Sequence, residues 1–164
     1  MNYIYVGKLV NTHGLKGEVR IISNFRHKEY IFKKGMKLYI GKKYEEFTIN
    51  TYRIHKMYDM VTFEGFNDIN EVEYLKGLSV YINEDDLDLE GNIYSGKLIN
   101  FKVIMEGKKI GTITEIIDTP ANEVIRVGSD ILIPYVDEFI EKIDIENKCI
   151  YVKSVGGLVW NLKY

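Results

Sequence analysis

A single cysteine, Cys149, stands in 164 residues. That excludes an internal disulfide and any multi-cysteine metal site. Its neighbours Ile150, Tyr151 and Val152 predict a buried strand thiol, because a free cysteine usually behaves as a small hydrophobe. Long apolar runs are also missing. None approaches the roughly 18 residues needed to span a bilayer, and the opening MNYIYVGKLV lacks the basic and apolar regions of a signal peptide. A soluble, cytoplasmic protein without membrane contact is expected.

Most catalytic templates are missing too. Every Gly-Lys is followed by Leu or Lys, so the phosphate-cradling G-x-x-x-x-G-K-[ST] loop does not occur. No H-E-x-x-H and no Cys/His cluster is present, which argues against zinc. Ser95 and Ser129 lack the G-x-S-x-G elbow. Asp85, Asp86, Asp88 and Glu90 lack the glycine-turned spacing of an EF-hand and read as a solvated linker. No cofactor, no metal and no catalytic activity are expected. The alternative is a small RNA-acting enzyme with His13 as base, but no partner carboxylate or nucleophile accompanies it.

Strand formers dominate what remains. Thirteen Tyr and seven Phe accompany a hydrophobic content of 46%, and aromatic residues favour strands while supplying contact surface. Apolar runs fall at 3–10, 19–22, 37–40, 47–55, 60–63 and 78–82. Phe47, Ile49 and Thr51 alternate with polar neighbours, and the phase slips at Tyr52 and Ile54, which predicts a bulge. In DINEVEYLKG, Asp68 suits a helix cap, Val72 and Leu75 share a face, and Gly77 ends the element. After the acidic stretch NEDDLDLEGN the strand pattern resumes, with a hairpin turn at 106–109 and a single helical turn at 139–142. The fold class is mostly β, as two small β-barrels with one or two short helices. The expected division is 1–83, an acidic linker 84–93, and 94–164. Pieces of about 80 residues bury only roughly 60% of their unfolded surface, so each is expected to pack on the other or on a partner.

Charge divides unevenly along the chain. Residues 1–83 carry 13 Lys and Arg against 9 Asp and Glu, a net +4, whereas 84–164 carry 9 against 15, a net −6. This suggests two partners of opposite sign. Cations of the first stretch interleave with Tyr30, Phe32 and Tyr39. Cations release counterions from phosphates, and aromatics stack on unpaired bases. The segment THGLKGEVR (12–20) concentrates that chemistry. Gly14 and Gly17 permit a sharp turn carrying His13 and Lys16, with Arg20 on the strand beyond. His13, Lys16, Arg20 and the Arg26–Lys28 cluster are the candidate RNA-backbone contacts.

The same segment resembles the N-terminal signature of the ribosome maturation factor RimM family. GFNDINEVEYLKGLSVYI (65–82), TPANEVIRV (119–127) and LIPYVDEFIEKIDIENKCIYVKSVGGLV (132–159) resemble further family blocks, in the family's order. The resemblance implies a translation-factor-like barrel followed by a PRC barrel. It also implies a non-catalytic, chaperone-like assembly factor that binds the head of the immature small ribosomal subunit. Its partners would be 16S rRNA and a basic ribosomal protein of the head, and a monomer is expected. Of the family's two adjacent tyrosines after the linker only Tyr94 remains, since Ile93 replaces the other; Gly156 stands where glutamate is common. Tyr94 and the Ala121–Asn122 turn are thereby candidates for a protein-facing or interdomain surface, with Asn122 alternatively holding a tight turn. A PRC-type scaffold that binds only protein is the other reading.

Overall fold

The computed structural model describes residues 1–154 and the short strand at 160–161. It divides into two compact units, Met1–Gly91 and Asn92–Tyr164. Gly156 and the Gly157–Leu158 pair, which enter the family resemblance, lie outside the described residues.

The first unit is a closed antiparallel barrel. Its strands are β1 (Tyr3–His13), β2 (Glu18–Ile22), β3 (Lys37–Ile40), β4 (Glu45–His55), β5 (Tyr58–Phe63) and β6 (Ser79–Asn83). They are ordered β1-β2-β5-β4-β3-β6, with β6 returning to β1. Alternation places Leu9, Ile21, Leu38, Phe47, Ile49 and Ile82 in the core. The register of β4 against β5 shifts between Ile49 and Thr51. This is the bulge behind the phase slip: Phe47 and Ile49 point inward before it, and Tyr52 packs on the core after it. β1 shifts register twice, once between Tyr5 and Gly7. There a Cβ on Gly7 would lie 2.4 Å from the Ile22 carbonyl oxygen.

Helix α1 (Ile69–Val72) forms where the capping residues predict it. Asp68 accepts a hydrogen bond from the Asn70 amide at 2.8 Å, and Glu71 accepts one from the Asn67 amide at 3.2 Å. Val72 and Leu75 are fully buried against the barrel core. The acidic stretch belongs to this unit. Asn83 caps a 3-10 turn at Glu84–Asp86, Leu87 packs on the core, and Leu89 is buried.

The second unit is a seven-stranded sheet built from β7 (Lys102–Met105), β8 (Lys108–Asp118), β9 (Glu123–Val127), β10 (Ile131–Pro134), β11 (Ile140–Asp144), β12 (Cys149–Val152) and β13 (Trp160–Asn161). Its order is β11-β12-β7-β8-β9-β10-β13. β12 and β7 are parallel, and the other described pairs are antiparallel. Glu106 and Gly107, at φ of 50° and 76°, make the two-residue hairpin turn. Cys149 is buried in β12, and Pro134 closes β10. The helical turn expected at 139–142 is instead the start of β11. A register shift between Ile140 and Lys142 spaces the inward Ile140 and Ile143 three apart, which imitates a helical period. Among the described residues no helix is long and apolar enough to cross a membrane.

Gly7→Ala should lower stability by about 1–3 kcal/mol, because the added methyl forces β1 and β2 apart. Urea unfolding reads this out, and an unchanged midpoint would refute the close approach.

Candidate nucleic-acid interface

The β1–β2 turn is held from behind. The Ile69 amide donates to the Leu15 carbonyl at 3.0 Å, so the turn is bonded to the start of α1. Gly17 has φ +87°, and a Cβ there would lie 2.8 Å from the Phe66 carbonyl oxygen. Gly14 also takes positive φ. Glycine at these places lets the chain reverse against the helix. The turn presents Lys16 and Leu15 to solvent, Leu15 at 80% exposure.

Beside it the outer face of β1, β2, β4 and β5 gathers charge. An Nη2 of Arg20 lies 2.7 Å from His13 Nδ1. A guanidinium only donates, so Nδ1 accepts and the His13 proton belongs on Nε2. The Arg20 guanidinium carbon also lies 5.4 Å from the Tyr58 ring centroid, a cation–π distance. Arg20 Nε is buried without a partner. Arg53 clamps Glu18 through two hydrogen bonds of 2.7 and 2.9 Å. That pairing holds the Glu18 carboxyl below its ordinary range and raises Arg53. The His55 ring lies 5.9 Å from His13. Partial desolvation, then the charges of Arg53 and Lys56, push His55 below its ordinary value of 6.5. Sequence reasoning did not place Arg53, His55 and Tyr58 here, because only strand pairing brings β4 and β5 beside the turn.

The second cluster is used differently. Arg26 is exposed, and His27 packs between Phe25 and Tyr30. Lys28 Nζ lies 2.7 Å from Asp59 Oδ2, and the Tyr52 hydroxyl donates to Asp59 Oδ1 at 2.7 Å. Asp59 is buried, so the Lys28 charge is engaged in stabilising the barrel. The same environment raises the Tyr52 hydroxyl far above its ordinary value, through burial and then Asp59. Among the three aromatics interleaved with the cations, Phe32 and Tyr39 are buried and only Tyr30 is partly exposed. Phe32 belongs to the barrel core and stacks on Tyr52 at 5.6 Å, so it is unavailable to a base.

In the second unit the Ser95 hydroxyl donates to Glu123 at 2.6 Å. This bond draws together the two segments that carry Tyr94 and Asn122. Tyr94 is half-buried with its ring against Gly96, where a Cβ would meet Tyr94 Cε2 at 2.4 Å. Thr119 holds the turn: its hydroxyl donates to the Asn122 carbonyl at 2.6 Å and accepts from the Asn122 amide at 3.2 Å. Ala121 is exposed.

Residues 4–87 match the family model for the RimM N-terminal domain, and residues 96–158 match that for the RimM PRC barrel domain. The chain belongs to the RimM family. The ribosome maturation factor RimM of Shouchella clausii is 41% identical over 96% of this chain and 97% of that one. The RimM of Geobacillus kaustophilus is 41% identical over 94% of each. A 16S ribosomal RNA processing protein RimM from Pseudomonas aeruginosa, solved by crystallography, aligns at 22% identity with a TM-score of 0.44, covering 94% of this chain and 98% of that one.

The unit boundary redistributes the charge of the chain. With 84–91 in the first unit, residues 1–91 carry 13 basic and 14 acidic side chains, and 92–164 carry 9 and 10. Each unit is therefore net −1. The asymmetry along the chain comes from one acidic segment. What persists is the local cationic cluster, in which Glu18 is already clamped by Arg53.

Two outcomes test this account. Lys28→Ala should destabilise the protein by about 1–3 kcal/mol by leaving the Asp59 carboxylate short of a charged partner; an unchanged melting temperature would free Lys28 for another role. His55 should titrate below 6.5 by NMR. A depressed histidine favours the neutral form on folding, so its contribution is complete above 6.5 and lost as pH falls through its folded value. His55→Gln should flatten stability across that window, and an unshifted imidazole would contradict the geometry.

Proposed function

We propose that this chain is a non-catalytic, monomeric, cytoplasmic assembly factor that binds the head of the immature small ribosomal subunit and assists 16S rRNA maturation. The relatives named as ribosome maturation factors support a role in ribosome maturation. The observation that carries RNA contact is the cationic cluster on a braced turn. Lys16, Arg20 and Arg26 meet phosphates, His13 orients Arg20, and Lys28 anchors the segment behind them. Arginine and lysine on a rigid scaffold neutralise phosphates without reading sequence.

The second unit meets a basic ribosomal protein of the head through Tyr94 and the Ala121–Asn122 turn. Segments 1–83 and 94–164 act as the two binding domains; the acidic 84–93 joins them in sequence, with 84–91 part of the first compact unit. The Ser95–Glu123 bond supports this assignment by joining the two candidate segments. Net charge does not, since the units are equal.

That equality favours a second reading, a PRC-type scaffold that binds only protein. It predicts a complex that survives nuclease and is insensitive to RNA.

Salt separates the two. With about five phosphates contacted, log affinity for rRNA should fall against log salt with a slope of about −3.5 to −4.5, and a flat response would remove the RNA reading. Lys16→Glu with Arg26→Glu should weaken binding with no loss of fold. In sedimented extract the protein should travel with free small subunits; migration with translating ribosomes would refute the assembly role.

A further inference from the structure

Five tyrosines cover one outer face of the barrel. Tyr5 of β1 lies opposite Tyr81 of β6, and Tyr81 lies opposite Tyr39 of β3, so three rings share one rung across three strands. Tyr3 and Tyr44 complete the group. Tyr3 and Tyr44 stack at 4.0 Å with planes 4° apart. Tyr44 meets Tyr81 edge-on at 4.9 Å, Tyr81 meets Tyr5 at 5.9 Å, and Tyr3 meets Tyr39 at 5.1 Å. Tyr39 is the buried base of the group, whereas Tyr5 is 57% and Tyr44 37% exposed. Tyr44 reaches this position from the β3–β4 turn with φ +52°.

The rings have a charged margin. Lys42 and Lys43 immediately precede Tyr44 in the turn and are exposed. Lys8 is exposed and pairs with Ser79, two residue pairs beyond Tyr5–Tyr81. None of the three lysines takes part in a described ion pair. The nearby acids are mostly engaged: Glu46 pairs with Lys37, Glu45 accepts from Tyr74, and Glu84 accepts from Asn2. Burial, then the charge of Asp86, raises the Tyr39 hydroxyl, so Asp86 is the carboxylate left near the base of the group, with no described ion pair. The exposed part of the face therefore offers flat aromatic surface with uncommitted cations beside it.

We propose that this tyrosine face is a stacking platform for unpaired RNA bases, with Lys8, Lys42 and Lys43 taking the adjoining phosphates. A closed barrel has no free strand edge to add a peptide strand, so binding here is through side chains. Aromatic rings accept any base, because every base has a π-face, and flanking cations track the backbone. The platform is distinct from the His13 cluster. Tyr5 and His13 lie eight residues apart on β1, about 26 Å at the usual strand rise.

The test uses the full chain and two labelled probes, a 12-nucleotide single-stranded oligoadenylate and a 12-base-pair RNA duplex, followed by anisotropy. The single strand should bind more tightly than the duplex and should quench tyrosine fluorescence. Tyr5→Thr with Tyr44→Asn, residues suited to a strand and to positive φ, should weaken single-strand binding about tenfold or more. Tyr5→Phe with Tyr44→Phe should keep it. Lys42→Gln with Lys43→Gln should reduce the salt slope by about 1.4 and decides the matter should the tyrosine variants misfold. Equal binding by the Thr/Asn variant, an unchanged slope, or capture of an oligoarginine peptide in place of the RNA would overturn the proposal. Lys16→Glu with Arg26→Glu should leave the quenching intact, which separates this surface from the turn.

Discussion

The return of β6 onto β1 organises the first unit. With that pairing made, each of its six strands has two neighbours, and no backbone edge remains for a partner. Recognition must then come from turns and from the outer faces of strands. Both charged and aromatic surfaces of this unit follow from that constraint. The β1–β2 turn is braced by α1, and the tyrosine face stands on the β6–β1 seam itself. Closure also requires β1 to bend, and Gly7 is the residue that lets it approach β2 so closely.

Charge acts locally in this protein. Summed over each compact unit, it nearly cancels. What differs is how far each charge is engaged. Lys28 is bound to a buried carboxylate and Arg53 to Glu18, so both stabilise the barrel. Lys16, Lys42 and Lys43 are exposed, with no described ion pair. A cation count along the chain cannot separate these groups, whereas the fold does so through the burial of Asp59 and the pairing of β2 with β5.

Much of the architecture was legible in the residues. The alternation at Phe47, Ile49 and Thr51 with its slip at Tyr52 marked both a strand and its bulge, and Asp68 and Gly77 marked the ends of the short helix. The RimM blocks carried the family. The errors have physical causes. A bulge at Ile140 made a strand look helical. The acidic segment reads as a linker because its charges outnumber its two leucines, while in the structure Leu87 packs on the barrel core and Leu89 is buried. The cationic site was only half visible: His13, Lys16 and Arg20 are near in sequence, but Arg53, His55 and Tyr58 arrive through strand register. The tyrosines on one rung are 76 and 42 residues apart in their pairings, from Tyr5 through Tyr81 to Tyr39, and alternation alone reveals no such meeting.

The parallel contact between β12 and β7 has a bearing on how this chain matures. β12 ends at Val152 and supports the sheet between β7 and β11. The second unit thus cannot finish its sheet until β12 has been made, some fifty residues after β7 begins. The strands of the first close with Asn83, before any strand of the second is made. Domains generally fold as units, the N-terminal one first. The barrel that carries the cations and stacked tyrosines can therefore close before β7 is synthesised, whereas the second sheet waits for β12.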